Sequence, residues 1–258
     1  MDLSRWLAGR RPTGVIEGAV ATAGFHVTRR VNTLRWKRIE VLRRLGIKVV
    51  IDVGANKGQW AEEVLKDGFQ GKVISFEPCP EAYAELARKV QRNRPTCLAL
   101  AMGLGAEDRC AEFFITEGSA SSSFRQPVKR TAGLSRSSAV KEKREVEIRC
   151  LDGVMKESGV AMERLYLKID TQGYEREVLR GASETLRRTD AVEVELSHVE
   201  LYEGQALLPE VWGMLTRAGF RPAWLERGFR DPEDIWLMQV DGLFVREEAW
   251  GASSRTEA

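Results

Sequence analysis

The chain has 258 residues, of which 43% are hydrophobic and 30% charged, and a formal net charge of +2. That length suits one large α/β domain with a buried sheet or two small domains, and no apolar run approaches the ~18 residues of a membrane-spanning helix. The opening "MDLSRWLAGRRP" lacks the apolar centre of a secretory signal. Cys79, Cys97, Cys110 and Cys150 form neither a CxxC pair nor a dense framework, which reads as reduced thiols in a cytoplasmic protein without a zinc site.

Charge is unevenly placed: residues 1–48 hold 11 Lys and Arg against 3 Asp and Glu, a local balance of +8. Within this arm (residues 1–46), "RRVNTLRWKRIEVLRRLG" predicts a helix with Val31, Leu34, Val41, Leu42 and Leu45 on roughly one side. Its basic side reads as a solvated face on a helix packed beside the domain; the rival partner is an anionic surface such as nucleic acid or lipid headgroups.

From residue 48 strands and helices alternate. "KVVIDVG" is a strand and "QWAEEVLKDG" a helix closed by Gly68; "KVISFEP" is a strand and "PEAYAELARKVQRN" a helix with Pro80 in its first turn; "CLALAMG" is a third strand. This pattern argues for a doubly wound, mostly parallel sheet covered on both faces. The alternation then breaks: "AEFFIT" and "REVEIRCLDGVM" read as strands separated by a polar stretch expected to be a long loop, either a lid or disordered. It resumes with strand "RLYLKID", helix "GYEREVLRGASETLRR", strand "AVEVELS" and helix "LLPEVWGMLTRAG", followed by strands near 221–226 and 235–245. One domain over 47–248 accounts for these elements, and the tail 249–258 is expected to fray.

Ligands of such sheets bind beyond the carboxyl ends of the strands, where the strand order reverses. Asp52, Gly54, Ala55, Asn56 and Gly58 sit at the end of the first strand, where glycines let the backbone approach a ligand. Glu77, followed by Pro78, ends the second strand and is placed to accept hydrogen bonds from ribose hydroxyls. The spacing Gly54-Ala55-Asn56-Lys57-Gly58 is not the GxGxxG of a dinucleotide site. A carboxylate just before the first glycine would repel phosphate but suits a cationic ligand such as S-adenosylmethionine, so NAD is the weaker fit.

The segments "VIDVGANKGQW", "ISFEPCPEAY" and "LYLKIDTQGYEREVLRGA" resemble the FkbM family of S-adenosylmethionine-dependent methyltransferases, over roughly residues 40–246. The last segment is the most specific of the three. The resemblance implies a seven-stranded, Rossmann-like class I methyltransferase fold with a β insertion after the third strand. It also implies mostly O-methylation, with acceptors such as sugar or polyketide hydroxyls. On the matching positions, Asp52, Gly54 and Asn56 would hold the methionine end, Glu77 the ribose, and Ala101 and Met102 would flank the adenine.

Central parallel strands are normally apolar on both faces, yet "RLYLKID" alternates Leu165, Leu167 and Ile169 with Tyr166, Lys168 and Asp170. "AVEVELS" alternates Val192, Val194 and Leu196 with Glu193, Glu195 and Ser197. A charge buried there needs a partner, and Lys168 and Glu195 are expected to pair. Asp170 and His198 lie at or just past strand ends facing the cofactor, so His198 is a candidate base for a hydroxyl acceptor and Asp170 the alternative. Asp170, Glu195 and His198 together would offer ligands to magnesium, although the spacing does not require a metal. Thr171 and Gly181 are expected to cap the intervening helix, and Tyr202 to line the acceptor pocket.

Residues 119–144 carry seven Lys and Arg against one acid, Glu142. They could close over the cofactor and select an acceptor bearing phosphate or carboxylate. The basic segments lack interleaved aromatics, which argues against a nucleic-acid substrate, while contact between the arm and a membrane surface is a further expectation. The rival reading is a non-catalytic nucleoside-binding module docking through its basic arm.

Overall fold

The computed structural model describes residues 33–92, 96–129, 138–229 and 236–254. The chain enters the domain through helix α1 (Leu34–Arg44), whose first turn is capped by Thr33 Oγ1 accepting from the Trp36 amide. Leu34, Val41 and Leu42 are buried against Val50, Tyr166 and Leu243 on one face of the main sheet. The basic side of α1 is largely paired: Arg35 meets Asp67 and Glu63, Lys37 meets Glu40, and buried Arg38 meets Glu193 and Glu63. Val31 and His26 lie outside the described residues.

Strand β1 (Val49–Val53) is buried along its whole length, as its apolar sequence requires of a central parallel strand. It leads through helix α2 (Gln59–Lys66) to β2 (Lys72–Phe76), then through α3 (Pro80–Arg92) to β3 (Cys97–Leu100). An insertion follows, made of β4 (Gly103–Leu104), β5 (Arg109–Thr116) and β6 (Val140–Arg149), which form a separate sheet in the order β4-β6-β5. The chain returns through α4 (Leu151–Ser158), β7 (Leu165–Ile169), α5 (Glu175–Arg180), α6 (Ser183–Arg188) and β8 (Thr189–Ser197). It closes with α7 (Leu208–Arg217), β9 (Phe220–Arg227), β10 (Gln239–Arg246) and α8 (Glu247–Ser254). The main sheet has seven strands in the order β3-β2-β1-β7-β8-β10-β9. β10 runs antiparallel between β8 and β9.

This is the doubly wound α/β architecture with its β insertion. Four expectations differ in detail. "CLDGVM" is helix α4 rather than strand: Leu151, Val154 and Met155 are buried at helical spacing, a period hidden behind the alternation of β6. The long helix after Asp170 is divided at Gly181, where a Cβ would lie 1.8 Å from the Gly105 carbonyl oxygen. The second piece is capped by Asp152, whose carboxylate accepts from the amides of Glu184 and Thr185. The expected open loop is ordered through 119–129, with antiparallel bridges Phe114–Ser123 and Pro127–Tyr202, and β6 starts as early as Val140. The tail is helical to Ser254, with Arg44 stacked 4.2 Å from the ring centroid of Trp250.

The parallel strand order reverses between β1 and β7. Their carboxyl ends, Val53-Gly54 and Ile169-Asp170, therefore open the crevice at which ligands of such sheets bind.

Candidate active site

The floor of the crevice is fixed by the backbone. The amides of Gly54 and Ala55 donate to the Phe76 carbonyl at 3.1 and 3.0 Å, and the Asp170 amide donates to the Val53 carbonyl at 3.0 Å. Gly54 has φ +74°, and a Cβ there would sit 1.8 Å from the Asp170 carbonyl oxygen, so no other residue fits without moving β1 from β7. Asn56 also takes a left-handed conformation, φ +47°, one that asparagine tolerates better than most residues.

Above this floor is a cavity of about 550 Å³, counting the part open to solvent. Gly54, Asn56, Glu77, Pro78, Asp170, Thr171 and Gln172 line it from the strand ends, and Phe76, Met102 and Leu104 form an apolar wall. The roof comes from the insertion: Phe113, Ser119, Ala120, Ser122 and Phe124. Ser119 Oγ donates to Asn56 Oδ1 at 2.9 Å and Ser123 Oγ to the Gln172 carbonyl at 2.7 Å, tying roof to floor. Phe113 and Phe124 meet edge to face at 4.9 Å.

Glu77 accepts one backbone amide on each oxygen, Asn56 at 2.7 Å and Cys79 at 2.8 Å. Burial lifts its pKa to about 7, against the pull of those two amides. A carboxylate has about four acceptor positions; the two left over suit the hydroxyls of a vicinal diol, so a ribose fits the residues present.

On the other side of the cavity Lys168 Nζ lies 3.2 Å from Asp52, 3.5 Å from Asp170 and 3.1 Å from the Gly54 carbonyl. Burial opposes its charge, yet Asp52 and Asp170 hold its pKa above the ordinary lysine value, so Lys168 is a fixed cation and not a base. The expected Lys168–Glu195 pair is replaced by these contacts. A register shift at Leu165/Tyr166 sets Lys168 opposite Glu193 instead. Glu193 in turn is gripped by the Arg38 guanidinium, with both bonds at 2.7 Å, and by Tyr166 and Trp60. Glu195 accepts instead from Gln172 Nε2 at 3.1 Å. Burial, with Asp170, Glu175 and Asp241 nearby, pushes its pKa well above the usual carboxylate range. Asp241, opposite Glu195 on β10, is raised to about 6, chiefly by burial.

The structure thus brings Gly54, Asn56, Glu77, Pro78, Met102 and Asp170 to one cavity. Asp52 lies beneath it, fully buried, holding Lys168 and accepting from Ser75. Ala55 packs on Leu86 and Val90. Gly58 caps α2 with φ +77° and faces Leu86, so its place is structural. Ala101 is exposed and outside the lining. His198 is exposed one residue past β8, its amide bonded to the Met238 carbonyl, and is also outside the lining. Thr171 is not a helix cap: Glu175 reaches back to accept from Thr171 and Gly173 amides. Among the described residues no group of three or more His, Cys, Asp or Glu is arranged to hold a metal ion.

The basic loop differs as well. Arg125 is paired with Glu177, and Lys143 and Arg144 belong to β6, paired with Glu112 and Glu142; Arg130 and Arg136 lie outside the described residues. The stretch "SASSSF", expected to fold over the cofactor, does supply the roof through Ser119, Ala120, Ser122 and Phe124. Sequence reasoning missed Gln172 and Phe113, which nothing in "KIDTQG" or "AEFFIT" singles out as lining residues. No described helix is long and apolar enough to cross a membrane.

The model of the methyltransferase FkbM domain matches residues 52–222. The chain belongs to the FkbM methyltransferase family. The 2-O-methyltransferase NoeI of Sinorhizobium fredii (strain NBRC 101917 / NGR234) is 31% identical over 175 residues, spanning 65% of this chain and 70% of that protein. Methyltransferase sdnD of Sordaria araneosa is 26% identical over 194 residues, spanning 66% and 73%. A solved methyltransferase FkbM from Methylobacillus flagellatus KT is 15% identical with a TM-score of 0.48, over 76% of this chain and 43% of that one, so the chain spans less than half of that structure's length. Within this FkbM family member, the matched span holds the whole cavity floor and Asp170 but ends before β10.

Proposed function

We propose that the chain is an S-adenosylmethionine-dependent O-methyltransferase whose acceptor is a hydroxyl of a small molecule, such as a sugar moiety or a polyketide-type product. The observation that carries this reading is the presence, in one cavity at the β1/β7 crevice, of Glu77, with acceptor positions left beside its two amide bonds, and of the solvent-reaching carboxylate of Asp170. The similarity to NoeI, a 2-O-methyltransferase, supports a hydroxyl acceptor.

S-adenosylmethionine, when bound, supplies an electrophilic methyl group on a sulfonium. Glu77 holds the ribose hydroxyls, and Gly54 and Asn56 present backbone to the methionine end. The apolar wall of Phe76, Met102 and Leu104, with Phe124 above, takes the adenine. Asp170 accepts the acceptor's hydroxyl proton, while Lys168, locked by Asp52, keeps a positive charge 3.5 Å from its carboxylate. The Ser119 and Ser123 bonds hold the roof closed and limit water in the cavity.

Calorimetry with S-adenosylmethionine and its demethylated product should show binding that Glu77→Ala weakens about 10-fold or more. A panel of hydroxylated acceptors, with matched neutral and anionic glycosides, should then yield a methyl ether detected by mass. Undiminished cofactor binding in Glu77→Ala, or methylation at nitrogen or carbon alone, would overturn the reading.

A further inference from the structure

Gln172 joins Asp170, Glu195 and Tyr202 on one side of the cavity. It lines the cavity and holds a left-handed backbone, φ +54°, a conformation that is uncommon for a residue of its kind. Its side-chain amide is fully engaged. Nε2 donates to Asp170 Oδ1 at 2.8 Å and to Glu195 Oε2 at 3.1 Å. Oε1 lies 2.9 Å from the Tyr202 hydroxyl, whose single proton sits between it and the Ser121 carbonyl at 3.1 Å. Turning the amide over would set its oxygen against two carboxyl groups, so the orientation is fixed by the neighbours. Its own carbonyl accepts from Ser123 of the roof.

We propose that Gln172 is a positioning residue for methyl transfer. Its amide aims the Asp170 carboxylate at the acceptor, and its bond to Tyr202 makes that aim depend on the seating of the insertion. The inference rests on the reading of Asp170 as the base. The chain of contact is short: Ser121 in the roof, Tyr202, Gln172, Asp170. A shift of the roof is felt at Tyr202, and because both amide hydrogens are already committed, the amide cannot follow Tyr202 without releasing a carboxylate. Glu195, which accepts from Gln172 Nε2 at 3.1 Å, is the second anchor that stops the amide from swinging with Asp170 alone.

Two variants separate this from a merely structural role. Gln172→Asn tolerates the left-handed backbone and keeps an amide, but is one methylene too short to reach Asp170, Glu195 and Tyr202 together. Tyr202→Phe removes only the hydroxyl. With saturating cofactor and a turned-over acceptor, Gln172→Asn should lower kcat about 10- to 100-fold, with cofactor Kd changed less than about threefold. Tyr202→Phe should lower kcat by a smaller factor, and the double variant should lose less than the product of the two. In the cofactor-free protein, carbon-detected NMR should show the Glu195 carboxyl titrating at higher pH in Gln172→Asn than in the wild type, because a donor to its ionised form is gone. Unchanged kcat in Gln172→Asn, or losses that multiply independently, would overturn the proposal, as would an unmoved Glu195 midpoint. A moved midpoint in a protein that methylates no hydroxyl would instead sink the proposed reaction and leave the hydrogen-bonded network standing.

Discussion

Glu77 sits where cofactor binding and stability pull on the same proton. Its pKa of about 7 reflects burial and lies above the ~4.3 of an exposed glutamate. The stability this group contributes is fully present below about pH 4.3 and is lost as pH rises through about 7, since the unfolded chain gives up the proton first. Between those values unfolding free energy should fall by up to about 1.4 kcal/mol per pH unit from this group, and Glu77→Gln should flatten that slope in urea titrations at several pH values. Cofactor affinity should run the other way and tighten as pH rises through about 7, because the ionised form is the better acceptor of two hydroxyls. Calorimetric Kd values that stay level between about pH 6 and about pH 8 would contradict this assignment. At this scale the sequence was legible where a residue type has a narrow range of uses. An acid ending β2 and a glycine at the β1 turn are two such cases. Gln172 was not legible, because a glutamine has no preferred task and its role arises from joining Asp170 to Glu195 and Tyr202, 23 and 30 positions away.

Among the elements, α1 shows how tertiary contacts decide what a charged helix does. Its basic residues suggested a solvated face, yet Arg38 is 5% exposed and pairs with Glu193 in the middle of the sheet. Removing one member of a buried pair leaves the other uncompensated, at about 3–5 kcal/mol. Arg38→Met should therefore destabilise the fold by that order in denaturant unfolding, although no atom of the cavity is touched. A loss below about 1 kcal/mol would show that Tyr166 and Trp60 alone satisfy Glu193. The strands β1 and β2 could be read from their apolar runs, and β7 and β8 from the alternation of apolar with polar residues. Helix α4 could not, since six residues of alternation in β6 run without a break into its first turn. The break between α5 and α6 was equally hidden, because it is imposed by the backbone of Gly105, about 75 positions away.

Across the whole molecule, the family match and the folding unit have different limits. The matched span closes at residue 222, inside β9, whereas β10 lies between β8 and β9 and hydrogen-bonds to both. A chain cut after residue 222 would keep the residues of the cavity floor but leave β8 as an open edge, with the apolar face of α7 without Phe244. It should fail to show cooperative thermal unfolding by circular dichroism, while a chain ending at residue 254 should retain it; equal melting of the two would refute the dependence on β10.

The roof and the floor of the cavity come from different parts of the chain and are joined by several contacts: the Ser119 and Ser123 hydroxyls at Asn56 and Gln172, the Tyr202 hydroxyl at the Ser121 carbonyl, the Arg125–Glu177 pair and the Pro127–Tyr202 bridge. Single hydrogen bonds contribute about 1 kcal/mol each, so the seat of the roof is the sum of many small contacts and no one of them fixes it. Lifting the roof to load the methyl donor therefore requires these contacts to part together. Substitutions in the insertion can then reshape the cavity's entrance while the strand ends that form its floor stay unchanged.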